Sequence, residues 1–317
     1  MLNKDQIAQF HQKGYLVVEN VFDQKTILDP LRREYSQLLD RLIDGWVDDG
    51  LIQPFSEGAD FFEKLSHCYQ AGCDWFQPMD ISLPGDRITK DTPMHFGPAI
   101  FNLMTAPALL DIVESLIGPE ITSNPIQHVR LKPPARQLNA DEIRAHITAT
   151  DWHQDKGVAH QEADNTDMVT VWCAINDATV ENGCLQAIPR PEKDGLLPHC
   201  AKTQTAIADG FIVLDRAVPL PVKSGGIVLF HPLTPHSSLE NKTSNFRWSF
   251  DIRFNRTGQP TGRSHFPEFI ARSQSDPEKV LTDWRVWQAS WQEARAKLAE
   301  QTHIPIHRWS SDAPFCA

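Results

Sequence analysis

The chain has 317 residues, 41% of them hydrophobic and 22% charged, which is enough apolar material to bury a sizeable core. Its net charge of −11 argues against a nucleic-acid partner, which needs clustered Lys and Arg to meet phosphates. The six cysteines form no CxxC pair, the start Met-Leu-Asn-Lys-Asp-Gln is polar, and no apolar stretch approaches the roughly eighteen residues of a membrane span; the expectation is reduced thiols in a soluble, cytoplasmic protein.

Asp5 reads as the N-cap of a helix over residues 6–13, with Gly14 as its stop. Tyr-Leu-Val-Val at 15–18 reads as a short strand. From 25 to 46, Ile27, Leu28, Leu31, Tyr35, Leu38, Leu39, Leu42 and Ile43 recur at helical spacing, and Pro30 marks where that helix can properly begin. Residues 107–117 form another helical pattern, opened by Pro107 and ended by Gly118-Pro119.

The period then changes. Residues 126–131, 168–175 and 226–230 are apolar, β-branched runs that read as strands. Residues 246–254 alternate, with Phe246, Trp248, Phe250, Ile252 and Phe254 on one face and Arg247, Ser249, Asp251 and Arg253 on the other. Residues 241–244 read as a hairpin turn, which would set His236 and Arg247 on adjacent antiparallel strands. The C-terminus returns to helix over about 277–300. The elements predict one domain, an all-β sandwich or barrel core with helical flanks: a mainly helical flank over 1–120, the β core over 121–260 and a C-terminal helical extension over 261–317.

The chemistry lies in the second half. His153 and Asp155 are two apart, so an extended backbone points both to one side. His236, just after a strand, would complete two histidines and a carboxylate, the ligand set of non-haem Fe(II) oxygenases. Its rival is His231, which ends the strand directly; His236 is preferred for the polar Ser237, Ser238 and Asn241 that follow it. Asp151 is also two residues from His153, and spacing leaves it open as the carboxylate, whereas His160 reads as a surface histidine. Arg247 offers a forked cation for a carboxylate, with Arg253 as the weaker candidate. Lys132 and Gln127 are potential contributors from the first core strand, and Trp172 either walls the pocket or packs the core.

These residues resemble the phytanoyl-CoA dioxygenase family. The resemblance runs through Phe10-His-Gln-Lys-Gly-Tyr-Leu-Val-Val-Glu-Asn-Val-Phe22, Trp152-His-Gln-Asp155, Glu181-Asn-Gly-Cys-Leu-Gln-Ala-Ile-Pro189, Gly226-Ile-Val-Leu-Phe-His-Pro232, and His236-Ser-Ser with Arg247. It implies a double-stranded β-helix of jelly-roll or cupin type, and an Fe(II)- and 2-oxoglutarate-dependent oxygenase that uses O2 and releases succinate and CO2. It makes His153, Asp155 and His236 the iron ligands, and puts Arg247 and Ser238 on the distal carboxylate of 2-oxoglutarate. It adds Gln127 as a 2-oxoglutarate contact and Trp172 as a wall of that site, with no catalytic side chain beyond the metal ligands. Hydroxylation of a C–H bond is the default outcome, and Asp155 disfavours halogenation, which needs a small residue there. The chain departs from the family pattern at Arg190-Pro-Glu-Lys193, where many members carry Gly-Ser-His, so the substrate is not carried over. The expected partner is a small molecule, with no nucleic acid or membrane, in a monomer or homodimer. The competing readings are a cupin-type metal enzyme that needs no 2-oxoglutarate and a non-catalytic metabolite-binding protein on the same fold.

Overall fold

The computed structural model describes residues 1–317 except 56–57, 86, 138–146, 148, 191–193, 203, 302–307, 311 and 317. Eight helices are described in chain order. α1 (Lys4–Lys13), α2 (Asp29–Asp48), α3 (Phe61–Gln70) and α4 (Phe76–Met79) precede the core; α5 (Pro98–Met104) and α6 (Pro107–Ile117) lead into it. α7 (Asp155–Val158) is a single turn inside it, and α8 (Trp284–Leu298) follows. The strands are β1 (Tyr15–Val18), β2 (Ile121–Lys132), β3 (Met168–Ala174), β4 (Leu185–Ala187), β5 (His199–Ala201) and β6 (Thr205–Ile207). They continue as β7 (Val218–Leu220), β8 (Ile227–Phe230), β9 (His236–Ser238), β10 (Arg247–Arg256) and β11 (Phe269–Arg272).

Local chemistry accounts for the helix ends. The N-cap of α1 is Asn3 rather than Asp5: Asn3 Oδ1 accepts from the Gln6 amide, and Gln6 Oε1 accepts from the Asn3 amide. Asp5 falls inside the first turn, where its charge favours the helix dipole. Gly14 ends α1 at φ +78°, and a Cβ there would meet Thr234 Oγ1 at 2.2 Å. α2 starts beside Pro30, after a separate turn at Gln24–Leu28, and buries Leu31, Tyr35, Leu38, Leu39 and Ile43. Contrary to the expectation that no stretch was long and apolar enough to span a membrane, Pro98–Ile117 has that length and composition. It breaks at Thr105–Ala106 into α5 and α6, and its apolar positions pack into the core.

The large sheet is antiparallel, ordered β1-β8-β3-β10-β2-β11; the small one is ordered β7-β4-β9. The alternation of β10 settles how they stack. Phe246, Trp248, Phe250, Ile252 and Phe254 enter the main core with residues of α2, α5 and α6. On the other side of the large sheet, Tyr15, Trp172, Val228 and Phe230 pack against Leu185, Ala187 and Leu220 of the small sheet. Helices therefore cover one face of the large sheet and the small sheet covers the other, as in a double-stranded β-helix. The segments read as flanks also supply both edge strands, β1 and β11.

Two expectations are corrected. His236 and Arg247 are not on adjacent strands: β9 pairs with β4 in the small sheet, while β10 pairs with β2 and β3 in the large one. The segment between them crosses between sheets. Asn241 holds it there, its side-chain amide donating to the Lys132 and Asn245 carbonyls and its own carbonyl accepting from the Ala135 amide. Nor are all six cysteines thiols: Cys200 and Cys316 form a disulfide with their Cα atoms 5.6 Å apart, and Cys68, Cys73, Cys173 and Cys184 are free and buried. A separation of 116 positions hides the pair from any spacing rule.

Candidate metal centre

His153 and His236 meet by backbone pairing. Each donates its amide to the other's carbonyl at 3.0 Å, an antiparallel bridge that sets the ring centroids 4.2 Å apart. Gln154 is extended (φ −113°, ψ 136°), so His153 and Asp155 emerge on the same side, and Asp155 then opens α7. The buried Gln154 side chain points away and ties the loop down. Its Nε2 donates to the Gly195 and Leu233 carbonyls, and its Oε1 accepts from the Leu197 amide. Its backbone N–H donates to His199 Nε2 at 3.0 Å. Gln154 sits inside the Trp152-His-Gln-Asp155 motif without being a ligand, and His199 lies in no motif, so the sequence signals neither role.

Both imidazoles turn Nε2 toward Asp155. His153 Nδ1–H donates to the Asp151 carbonyl at 2.8 Å and His236 Nδ1–H to the Thr234 carbonyl at 2.9 Å. A carbonyl can only accept, so Nδ1 carries a proton in each ring and Nε2 is the nitrogen available as a ligand. Burial and then the neighbouring His236 push the His153 pKa down to about 3, which keeps its ring neutral. Phe230 stacks on the His236 ring, its centroid 4.2 Å away, and fixes its plane. Asp151 thus contributes its carbonyl rather than its carboxylate.

Asp155 is 1% exposed and lies 3.8 Å from each histidine Nε2. Burial opposes its ionisation, but the Arg253 guanidinium, followed by the two imidazoles, outweighs it and holds the carboxyl below its usual range. Arg253 donates to Oδ1, while Oδ2 is buried with no hydrogen-bond partner. The three ligand atoms lie within 4.8 Å of one another. Two available Nε2 atoms and an orphaned carboxylate oxygen fit a divalent first-row metal and have no other evident function. Arg253, weighed above as an alternative co-substrate anchor, instead holds the acidic ligand.

The same cavity runs to Trp172 and Arg247. Arg247 is 3% exposed, its Cζ 5.0 Å from the Trp172 ring centre. One nitrogen donates to the Gly183 carbonyl at 3.2 Å, Nε has no partner, and among the described residues no carboxylate pairs with it. Burial, then Arg130, pushes its pKa down to about 9. Ser238 is buried on β9, its Oγ accepting from Lys132 Nζ; the cavity lining includes its neighbour Ser237 but not Ser238 itself. Gln127 is not brought here: its amide donates to the Ile81 carbonyl at 2.7 Å, away from the cavity lining. His231 faces Arg190, and His160 lies near His265, both apart from the ligand cluster. The Arg190 side chain donates to the Asp194 carbonyl; the rest of the departing segment, 191–193, lies outside the described residues.

The phytanoyl-CoA dioxygenase (PhyH) family model matches residues 10–249, a span that holds all three candidate ligands and Arg247. The chain belongs to the phytanoyl-CoA dioxygenase family. It is therefore an Fe(II)- and 2-oxoglutarate-dependent oxygenase with O2 as oxidant. The human peroxisomal phytanoyl-CoA dioxygenase is 26% identical over 290 residues, covering 86% of this chain and 79% of that protein. The L-proline trans-4-hydroxylase of Streptomyces griseoviridis is 25% identical over 204 residues, covering 57% of this chain and 72% of its own length. Among solved structures, EvdO2 from Micromonospora carbonacea var. aurantiaca, complexed with 2-oxoglutarate, shares the fold at a TM-score of 0.52. It is 20% identical, covering 81% of this chain and 92% of that one.

Proposed function

We propose that this oxygenase hydroxylates a C–H bond of a small organic molecule, with 2-oxoglutarate converted to succinate and CO2. His153, Asp155 and His236 hold Fe(II), which supplies the redox chemistry that activates O2. Arg247 and Ser238 take the distal carboxylate of 2-oxoglutarate, and Trp172 walls that end. The observation that carries this reading is the buried Arg247, a guanidinium with an orphaned Nε and no acidic partner among the described residues. A buried cation is tolerated where it meets an anion, and a dicarboxylate bridging from the metal would provide one. A cupin-type metal enzyme without 2-oxoglutarate has no use for it.

Relatives named for an acyl-CoA thioester and for free proline leave both substrate kinds in the family's range. We place the substrate among free small molecules, because the chain carries −11 overall and shows no run of basic residues for a CoA phosphate. The cytoplasmic expectation drew on reduced thiols together with a polar start and the lack of an apparent span, and the Cys200–Cys316 pair removes the first of these supports. The test is succinate release from 2-oxoglutarate with added Fe(II), screened against free metabolites and acyl-CoA thioesters. One class should stimulate release above the substrate-free rate and yield a product heavier by one oxygen. Turnover that ignores 2-oxoglutarate, or survives D155A, would overturn the assignment.

A further inference from the structure

A second buried cation, Lys132, stands next to the Arg247 end of the cavity without lining the cavity itself. Lys132 stands opposite Arg247 in the β2–β10 register and is 3% exposed. Its Nζ donates to Ser238 Oγ at 2.7 Å and to the Leu239 carbonyl at 2.5 Å. The Thr150 amide donates to the same Ser238 Oγ at 2.8 Å. A hydroxyl has two lone pairs, and two donors occupy both, so the Ser238 proton must be given away. Among the described residues nothing accepts it.

Charge points the same way. Arg130, on the same strand as Lys132, pairs with Asp251 at 2.8 Å. Lys132 and Arg247 have no carboxylate partner among the described residues. Burial, then Arg247 and Arg130, pull the Lys132 ammonium well below its ordinary pKa. Two buried cations side by side are costly alone and become favourable when an anion joins them.

We infer that Lys132 is a positioning residue for the co-substrate's distal carboxylate. It acts through Ser238, fixing that hydroxyl as a donor toward the ligand, and its charge selects a 2-oxo dicarboxylate over a 2-oxo acid with an uncharged tail. The inference rests on the reading that Arg247 and Ser238 receive that carboxylate. A merely structural role would consist of tying β2 to the Leu239 carbonyl, and it would affect every ligand alike.

The test measures binding to the zinc-loaded full-length protein, which does not turn over, by quenching of tryptophan fluorescence. The ligands are 2-oxoglutarate and 2-oxopentanoate, which has the same chain length but a methyl group in place of the distal carboxylate. K132M should weaken 2-oxoglutarate roughly tenfold or more while leaving 2-oxopentanoate unchanged. Adding S238A to K132M should cost little more, since the lysine acts through that hydroxyl. Equal weakening of both ligands, or an unchanged 2-oxoglutarate Kd, overturns the inference. If wild type binds both ligands equally, the distal-carboxylate reading itself fails and the role of Lys132 falls with it. If instead R247M alone abolishes the selectivity and K132M leaves it intact, that reading stands and only the inference falls. Should K132M fold poorly, K132Q removes the charge alone and keeps a donor for Ser238 and the Leu239 carbonyl: a narrower preference for 2-oxoglutarate over 2-oxopentanoate is expected, and an unchanged preference overturns the inference.

Discussion

Replacing Arg247 by methionine should move stability and ligand affinity in opposite directions. Burial, reinforced by Arg130, pushes the guanidinium down from its ordinary value to about 9. A base with a depressed folded-state pKa is disfavoured in its charged form, and that form prevails at every working pH. Its cost is therefore constant between about pH 6 and 8 and does not tilt the stability curve there. At about 1.4 kcal/mol per pKa unit, the burden is on the order of 4–5 kcal/mol, taken as an upper limit. Methionine removes it and fills similar space, but gives up the Gly183 hydrogen bond and the contact with the Trp172 face, together about 1–3 kcal/mol. The ligand-free variant should match or exceed wild type by about 1–3 kcal/mol, with the melting temperature rising roughly 2–4 °C per kcal/mol. Its 2-oxoglutarate affinity should fall about a hundredfold or more, as for truncating one member of a buried charge pair. Thermal unfolding of the zinc-loaded protein, with and without 2-oxoglutarate, reads both effects. At about one hundred times its Kd the ligand should add close to 2.7 kcal/mol to wild type and almost nothing to R247M. A less stable R247M that still gains fully from 2-oxoglutarate would show Arg247 to be a packing residue.

H153A and H236A should each abolish tight binding of one metal ion per chain, read by titration of the metal-free protein; stoichiometric binding in either would place the metal elsewhere. The C316S change frees the tail whose Arg308 pairs with Asp164 and whose Trp309 indole donates to the Gly157 carbonyl at 2.8 Å and stacks on His199. With the bridged cysteines 116 positions apart, the loss approaches about 5 kcal/mol in the chain-entropy picture. A lower melting temperature and faster C-terminal proteolysis should follow, and unchanged values in both would refute the tether. G157A would set a methyl group 2.6 Å from the His199 ring, which is wholly buried and held by the Gln154 amide and the Leu197 carbonyl. The ring cannot move without releasing the residue between His153 and Asp155, so stability should drop by about 1–3 kcal/mol and metal affinity should fall too. Wild-type metal binding in G157A would show that His199 does not position the ligand loop.

What was legible in the sequence divides by the distance over which each interaction acts. The extended Gln154 that points His153 and Asp155 the same way is a local property, and the i, i+2 spacing carries it. The two faces of β10 are likewise periodic, and both appear in the structure as read. The partnership of His236 and Arg247 was a longer inference, right in bringing both to one cavity and wrong about how. Residues 241–244 carry ordinary turn signals, and those signals are the same whether the next strand pairs back or crosses to the facing sheet. The hydrogen bonds from Asn241 to Lys132 and of Ala135 to Asn241 decide it, and no pattern within residues 236–247 encodes partners a hundred positions away. The two arginines of β10 show the same limit. Both lie on its polar face, six residues apart, and sequence ranked them as stronger and weaker candidates for one role. The facing elements assign them different ones: Arg253 lies against the Ile126 carbonyl and Asp155, while Arg247 meets Trp172 and the Gly183 carbonyl. One strand therefore steadies the acidic ligand at one end and leaves a cation open at the other. That separation, about 20 Å of strand by the rise per residue, is why the second arginine cannot take over when the first is removed.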